Sequence, residues 1–160
     1  MIFFEDTKLG ERHTLGSFTF TADAIKTFAR AYDPQAFHLD EEAGSRSVFG
    51  GLAASGWHTA SVYMKLLVAY LKDLTEDAEA RGEAVAQSGP SPGFKNLRWP
   101  RPVLAGDTLT YTYEATAMRP LASRPEFGIV FGTTTAVNQR GEMVFYFENS
   151  VFLPRRNPAV

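Results

Sequence analysis

Apolar positions change their spacing along the chain, and the changes mark out its elements. From His13 to Phe20, Thr14, Phe18, Thr19 and Phe20 give a strand-like composition around Gly16. Thr21 then supplies an N-cap, and Asp23 an acid in the first turn. Ile25, Phe28, Ala29 and Tyr32 fall at i, i+3, i+4 and i+7, one face of a helix. Asp33-Pro34 ends it, because a residue before proline is pushed out of the α region. Ahead of the strand lie a short apolar piece, Ile2-Phe3-Phe4, and a polar turn over Asp6–Glu11.

Residues 33–51 keep no period. Asp40 caps one short turn through Glu41-Glu42-Ala43 that Gly44 is expected to stop, and Phe49 is the bulky anchor near the end. An irregular stretch of this length is uncommon in a compact domain and points to function. From Ser55 the spacing is helical again. Val62, Leu66 and Ala69 share one face, and Ala60, Tyr63, Met64, Leu67, Val68, Tyr70 and Leu71 make the helix apolar almost all round. A helix of that kind is buried on most sides. Lys72-Asp73 begins its polar exit, Thr75–Gln87 reads as an exposed charged continuation, and residues 88–93 as a loop.

The last third shifts toward alternation. Phe94–Val103, Thr108–Met118, Phe127–Asn138 and Met143–Leu153 are rich in Val, Thr, Tyr and Phe, separated by turn residues. Four consecutive strands of this kind imply an antiparallel, meander-like sheet. The expected class is α+β, one domain over residues 1–160, with the sheet wrapped around the apolar helix.

Composition narrows the function. Sixteen basic residues stand against 18 acidic ones, which gives no pull toward nucleic acid or an anionic membrane. There is no cysteine, so disulfides and thiolate chemistry are excluded. No signal peptide is evident, and Lys65 and Lys72 break the longest apolar run before it could span a bilayer. A cytoplasmic protein is expected.

The candidate chemistry concentrates between Asp33 and Trp57. Asp33 and His38 could divide proton transfer between a carboxylate and an imidazole. Asp33 before Pro34 also suits an N-cap with proline at N1, and His38 an ordinary core histidine. Ser55-Gly56 opens the apolar helix, where unpaired N–H groups and the dipole can hold a developing oxyanion. Equally, Ser55 could merely cap the helix and Gly56 avoid a clash with the sheet. Gly50-Gly51 lacks phosphate-loop spacing. His13 and His58 stand alone, and His58 suits packing better than the pocket. A metal site on His38 and Asp40 would need a distant third ligand. A hydrolase triad of Ser55, His38 and Asp33 lacks the Gly-x-Ser-x-Gly elbow. Arg98, Arg101, Arg119 and Arg124 read as solvated cations.

Together, Tyr32-Asp33-Pro34-Gln35-Ala36-Phe37-His38-Leu39-Asp40 and Phe49-Gly50-Gly51-Leu52-Ala53-Ala54-Ser55-Gly56-Trp57 resemble the MaoC-like acyl dehydratases, the (R)-specific enoyl-CoA hydratase group. Arg98-Trp99-Pro100-Arg101-Pro102-Val103-Leu104-Ala105-Gly106-Asp107 resembles their segment entering a long strand. The resemblance implies a hot-dog fold and a homodimer or higher homo-oligomer. It also implies reversible hydration of a trans-2-enoyl thioester, carried by CoA or an acyl carrier, as in fatty acid metabolism. Asp33 and His38 match the family's catalytic pair. Gly56 matches its oxyanion donor, with Ser55 and Trp57 flanking it at the substrate. No cofactor or metal is implied. Gln35 and Ser55 depart from the common asparagine and histidine, and Pro120–Pro125 is a candidate for the acyl or CoA entrance. A hot-dog thioesterase and a non-catalytic acyl-binding or partner subunit remain the alternatives.

Overall fold

The structure is a computed structural model that describes residues 3–157; Ile2 of the first apolar piece lies outside the described residues. A short 3-10 turn at Phe4–Asp6 leads into β1 (Arg12–Thr19) and α1 (Ala22–Tyr32). Two short helices follow, α2 (Ala36–Leu39) and α3 (Glu41–Ser45). The long helix α4 (Gly56–Ala80) precedes β2 (Gly93–Arg98), β3 (Thr108–Pro120), β4 (Phe127–Val137) and β5 (Met143–Pro154). The strands form one antiparallel sheet in the order β1-β3-β4-β5-β2. The fold is the hot-dog arrangement, a long central helix against a five-stranded antiparallel sheet.

The elements form for the reasons their spacing implies. The Thr21 hydroxyl accepts from the Ala24 N–H at 3.2 Å and starts α1, which buries Ile25 and Ala29. Alternate residues of β3, β4 and β5 point to one face. Leu109, Tyr111, Ala136 and Phe145 there join Phe20, Ile25 and Val62 in the main core. Phe4, Ala115, Val130 and Leu153 form a second cluster at the other end of the sheet.

Several expectations change. β2 stops at Arg98 rather than continuing to Val103, because Pro100 and Pro102 lack ladder donors. It also leaves the meander: only β3, β4 and β5 pair in sequence, while β2 crosses to the far edge beside β5. Residues 33–51 are not wholly irregular, since α2 and α3 lie within them. Gly44 does not stop α3, which Asp40 Oδ1 caps by accepting from the Ala43 N–H at 2.8 Å. Among the described residues, no helix is long and apolar enough to cross a membrane.

Candidate active site

A short extended piece before α4 brings the chemistry together. The Ala54 N–H donates to Val103 O at 2.7 Å, the Ala105 N–H to Leu52 O at 2.9 Å, and the Ala53 N–H to Phe37 O at 3.2 Å. Residues 52–55 are thereby clamped between α2 and the loop after Pro102. That fixes both the start of α4 and the carbonyl that His38 needs.

Asp33 caps the C-terminus of α1, its N–H donating to Ala29 O. It is not the N-cap of the next helix: Gln35 takes that place and makes no side-chain cap bond. The Asp33 carboxylate is therefore left for other partners. Ser55 Oγ donates to Asp33 Oδ2 at 2.7 Å, and Gln35 Nε2 to Asp33 Oδ1 at 2.8 Å. His38, buried on α2, places Nε2 3.4 Å from Asp33 Oδ2. Burial alone would push the Asp33 carboxyl up. The hydrogen bonds from Ser55 and Gln35 and the nearby His38 outweigh it and hold the group below the usual carboxylate range.

His38 Nδ1 lies 2.6 Å from the Ala53 carbonyl oxygen. A carbonyl only accepts, so Nδ1 carries a proton and donates it to Ala53 O, which fixes the ring with its Nε2 edge toward Asp33. The carboxylate and the imidazole edge thus present two polar atoms, 3.4 Å apart, to the same space.

Ser55 both caps and connects. Its oxygen accepts from the Trp57 N–H at 3.3 Å while its proton goes to Asp33. Gly56, the first residue of α4, has no partner for its N–H among the described residues. It avoids a clash not with the sheet but with Trp99: a Cβ there would stand 2.6 Å from the indole. Trp99 Nε1 donates to Gly56 O at 3.1 Å and to Thr59 Oγ1 at 3.0 Å. Trp57, half exposed, meets Trp99 edge to face.

The model of the MaoC-like domain matches residues 6–136. The chain belongs to the MaoC-like family. A MaoC-like dehydratase from Rhodospirillum rubrum is 38% identical to this MaoC-like chain; the match covers 98% of this chain and 99% of that one, with a TM-score of 0.78. The uncharacterized protein YdeM of Bacillus subtilis (strain 168) is 28% identical over 151 residues, 94% of this chain and 98% of YdeM. The (R)-hydratase from A. caviae involved in PHA biosynthesis is 23% identical and shares the fold, with a TM-score of 0.66 over 94% of this chain and 99% of that one.

Other candidates in this MaoC-like chain resolve into structure. His58 is packed away from Asp33, stacked on Phe28 with ring centroids 4.6 Å apart and edge-on to Phe20. Burial pushes its pKa down to about 4. His13 Nδ1 meets Tyr70 Oη at 3.0 Å. Asp40 is spent on the α3 cap, and among the described residues no three His, Asp or Glu groups converge on a metal position. Arg98, Arg101, Arg119 and Arg124 are exposed.

The large cavity lies elsewhere on α4. It measures about 600 Å³ and runs under the helix from Trp57 and Ala60 to Leu74, against Phe145, Phe147 and Val151. Neither Asp33 nor His38 lines it, and the Pro120–Pro125 segment is not part of its wall. It meets the Asp33–His38 site only through the first turn of α4. Sequence reading missed Trp99, and it treated Gln35 as a departure rather than as the second donor to Asp33. Trp99 was visible as an aromatic flanked by Arg98 and Pro100, but its contact with Gly56 spans 43 positions.

Proposed function

We propose that this MaoC-like protein hydrates a trans-2-enoyl thioester reversibly to the (3R)-3-hydroxyacyl thioester, with Asp33 and His38 as the catalytic pair. The observation that carries the reading is the Asp33–His38 pair, each member held in place by its own hydrogen bonds. The Asp33 carboxylate accepts from Ser55 and Gln35, which favour its ionised form, and His38 Nε2 lies 3.4 Å from it. A water held beside both groups donates toward Asp33 and turns its own lone pair to the β-carbon. The water's proton passes to the pair as the C–O bond forms. The same proton is then delivered to the α-carbon, so the pair ends each turn as it began.

Negative charge builds on the thioester oxygen during attack. The free N–H of Gly56, at the positive end of α4, is the donor for it. Ser55 and Gln35 orient Asp33, and Trp57 borders the thioester beside Gly56. The carrier is CoA or an acyl carrier. The exposed Trp57, Met64 and Val68 make a stripe along α4 that suits a second copy in a homodimer or higher assembly.

A short enoyl-CoA is followed by absorbance with wild type and Asp33→Asn, the fold being checked by circular dichroism. Loss of hydration in a folded Asp33→Asn variant is expected. Equal rates in the two proteins, over a panel of enoyl and 3-hydroxyacyl thioesters, would overturn the reading.

A further inference from the structure

The cavity under α4 is largely apolar, and on its sheet side it carries a cluster of polar groups. On its wall Asn149 Nδ2 donates to Tyr63 Oη at 3.0 Å and to Thr134 Oγ1 at 3.2 Å. Asn149 interrupts an inward-facing apolar row on β5 that runs Phe145, Phe147, Asn149, Val151, Leu153. A polar residue at such a position costs stability unless its groups find partners. Both protons of the amide are used by the two hydroxyl oxygens, which leaves Oδ1 without a donor.

Tyr113 supplies the complementary group. Its side chain crosses from β3 onto Gly132, where a Cβ would stand 2.6 Å from Tyr113 Oη. Gly132 is the strand partner of Asn149. The absent side chain therefore brings the Tyr113 hydroxyl beside the Asn149–Tyr63 cluster. No acceptor meets that hydroxyl among the described residues, and Tyr113 and Asn149 both line the cavity. Burial, with Tyr63 adding to it, pushes Tyr113 up to about 12, so it stays a donor at neutral pH. Neither α4 nor the sheet contributes a charged side chain to the lining; Asp6, Lys8 and Glu11 come from the N-terminal segment.

An uncharged donor and acceptor side by side, the Tyr113 hydroxyl and Asn149 Oδ1, match an alcohol. We propose that the cavity binds an acyl group carrying a hydroxyl beyond the reacting carbons, with Tyr113 donating to that oxygen and Asn149 Oδ1 accepting its proton. The inference rests on the thioester reading of the site and adds the class of acyl group. Tyr63 lies seven residues after Gly56, so its Cα stands about 10 Å along the axis of α4.

Calorimetric titration tests this with saturated acyl-CoA esters, which cannot react. Matched pairs with and without a hydroxyl at each chain position are compared, with CoA alone as control. Wild type should bind one hydroxylated isomer about tenfold more tightly than its deoxy partner, the scale of one buried hydrogen bond. Tyr113→Phe, which keeps the ring on Gly132, should erase that gap and leave deoxy-acyl-CoA and CoA affinities unchanged. No preference at any position, as when water fills the cluster, would overturn the inference. A preference that survives in Tyr113→Phe would overturn it too. Hydration without the preference sinks only the inference, and the preference without hydration sinks only the proposed reaction.

Discussion

The two ends of α4 are packed differently. His58, Thr59, Val62 and Tyr63 are buried in its first eight residues, whereas none of the residues from Met64 to Asp77 is. Near the start, Tyr111 Oη donates to Thr59 O at 2.9 Å, and Trp99 and Thr59 both donate to the Gly56 carbonyl. Further along, the helix stands off the sheet over the cavity. The first end can hold a few groups to within tenths of an ångström, which general acid–base and oxyanion chemistry needs. The second has room for a chain that the first end does not touch. On the proposed reaction, one helix thus separates rate from selectivity along its length.

The contrast breaks most sharply at Asp33. Asp33→Asn should lower kcat/KM about 10³-fold, within the range of a lost general base, and leave acyl-CoA affinity nearly unchanged. A similar loss in binding would mean that the two ends are not separable.

His58 tests the crowding itself. Its pKa of about 4 in the folded chain lies below an unfolded value near 6.5. Between those values the unfolded chain binds more protons, so stability rises with pH across the window and falls as pH drops from 6.5 toward 4. The full change is about 3 kcal/mol. Denaturant titrations at several pH values should show that slope in wild type and a flatter one in His58→Phe.

Gly56→Ala forces the Trp99 indole to move. Hydration should fall about 10²-fold through misplacement of the N–H and its surroundings. An unchanged rate would show that Trp99 does not hold this turn. A milder change is Ser55→Ala, which removes a donor to Asp33. Asp33 should then titrate higher, and the acid limb of the kcat/KM profile should move up in pH.

The smallest effects compare the ends directly. Val62→Ala should cost about 2 kcal/mol, because Val62 is buried in the main core. Leu67→Ala removes more atoms yet should cost under about 1 kcal/mol, since Leu67 is part-exposed and already lines the cavity. Chemical denaturation of the two variants ranks them.

Legibility in the sequence follows the range of each contact. The apolar runs of α1 and α4 and the alternation of β3, β4 and β5 are local, and their periods alone locate them. The place of β2 was not legible: its pairing with β5 spans about 50 residues, and the prolines after Arg98 decide only where it stops. Asp33, His38 and Gly56 were named from the resemblance, because spacing alone left capping and packing open. The structure removes the N-cap reading of Asp33 and shows Ser55 capping α4 while it donates to Asp33. Trp99 and the Gln35–Asp33 bond stayed hidden because they depend on how residues 52–55 lie against 103–105. Asn149 was visible as a polar break in an apolar row, but its meaning required Tyr113 across Gly132.

The most direct test of the central claim is mass spectrometry of a trans-2-enoyl-CoA after incubation with the wild-type protein. The account predicts a product heavier by one water, with its thioester intact and no free CoA thiol. Release of CoA thiol, or an unchanged thioester while the protein remains folded, would contradict it.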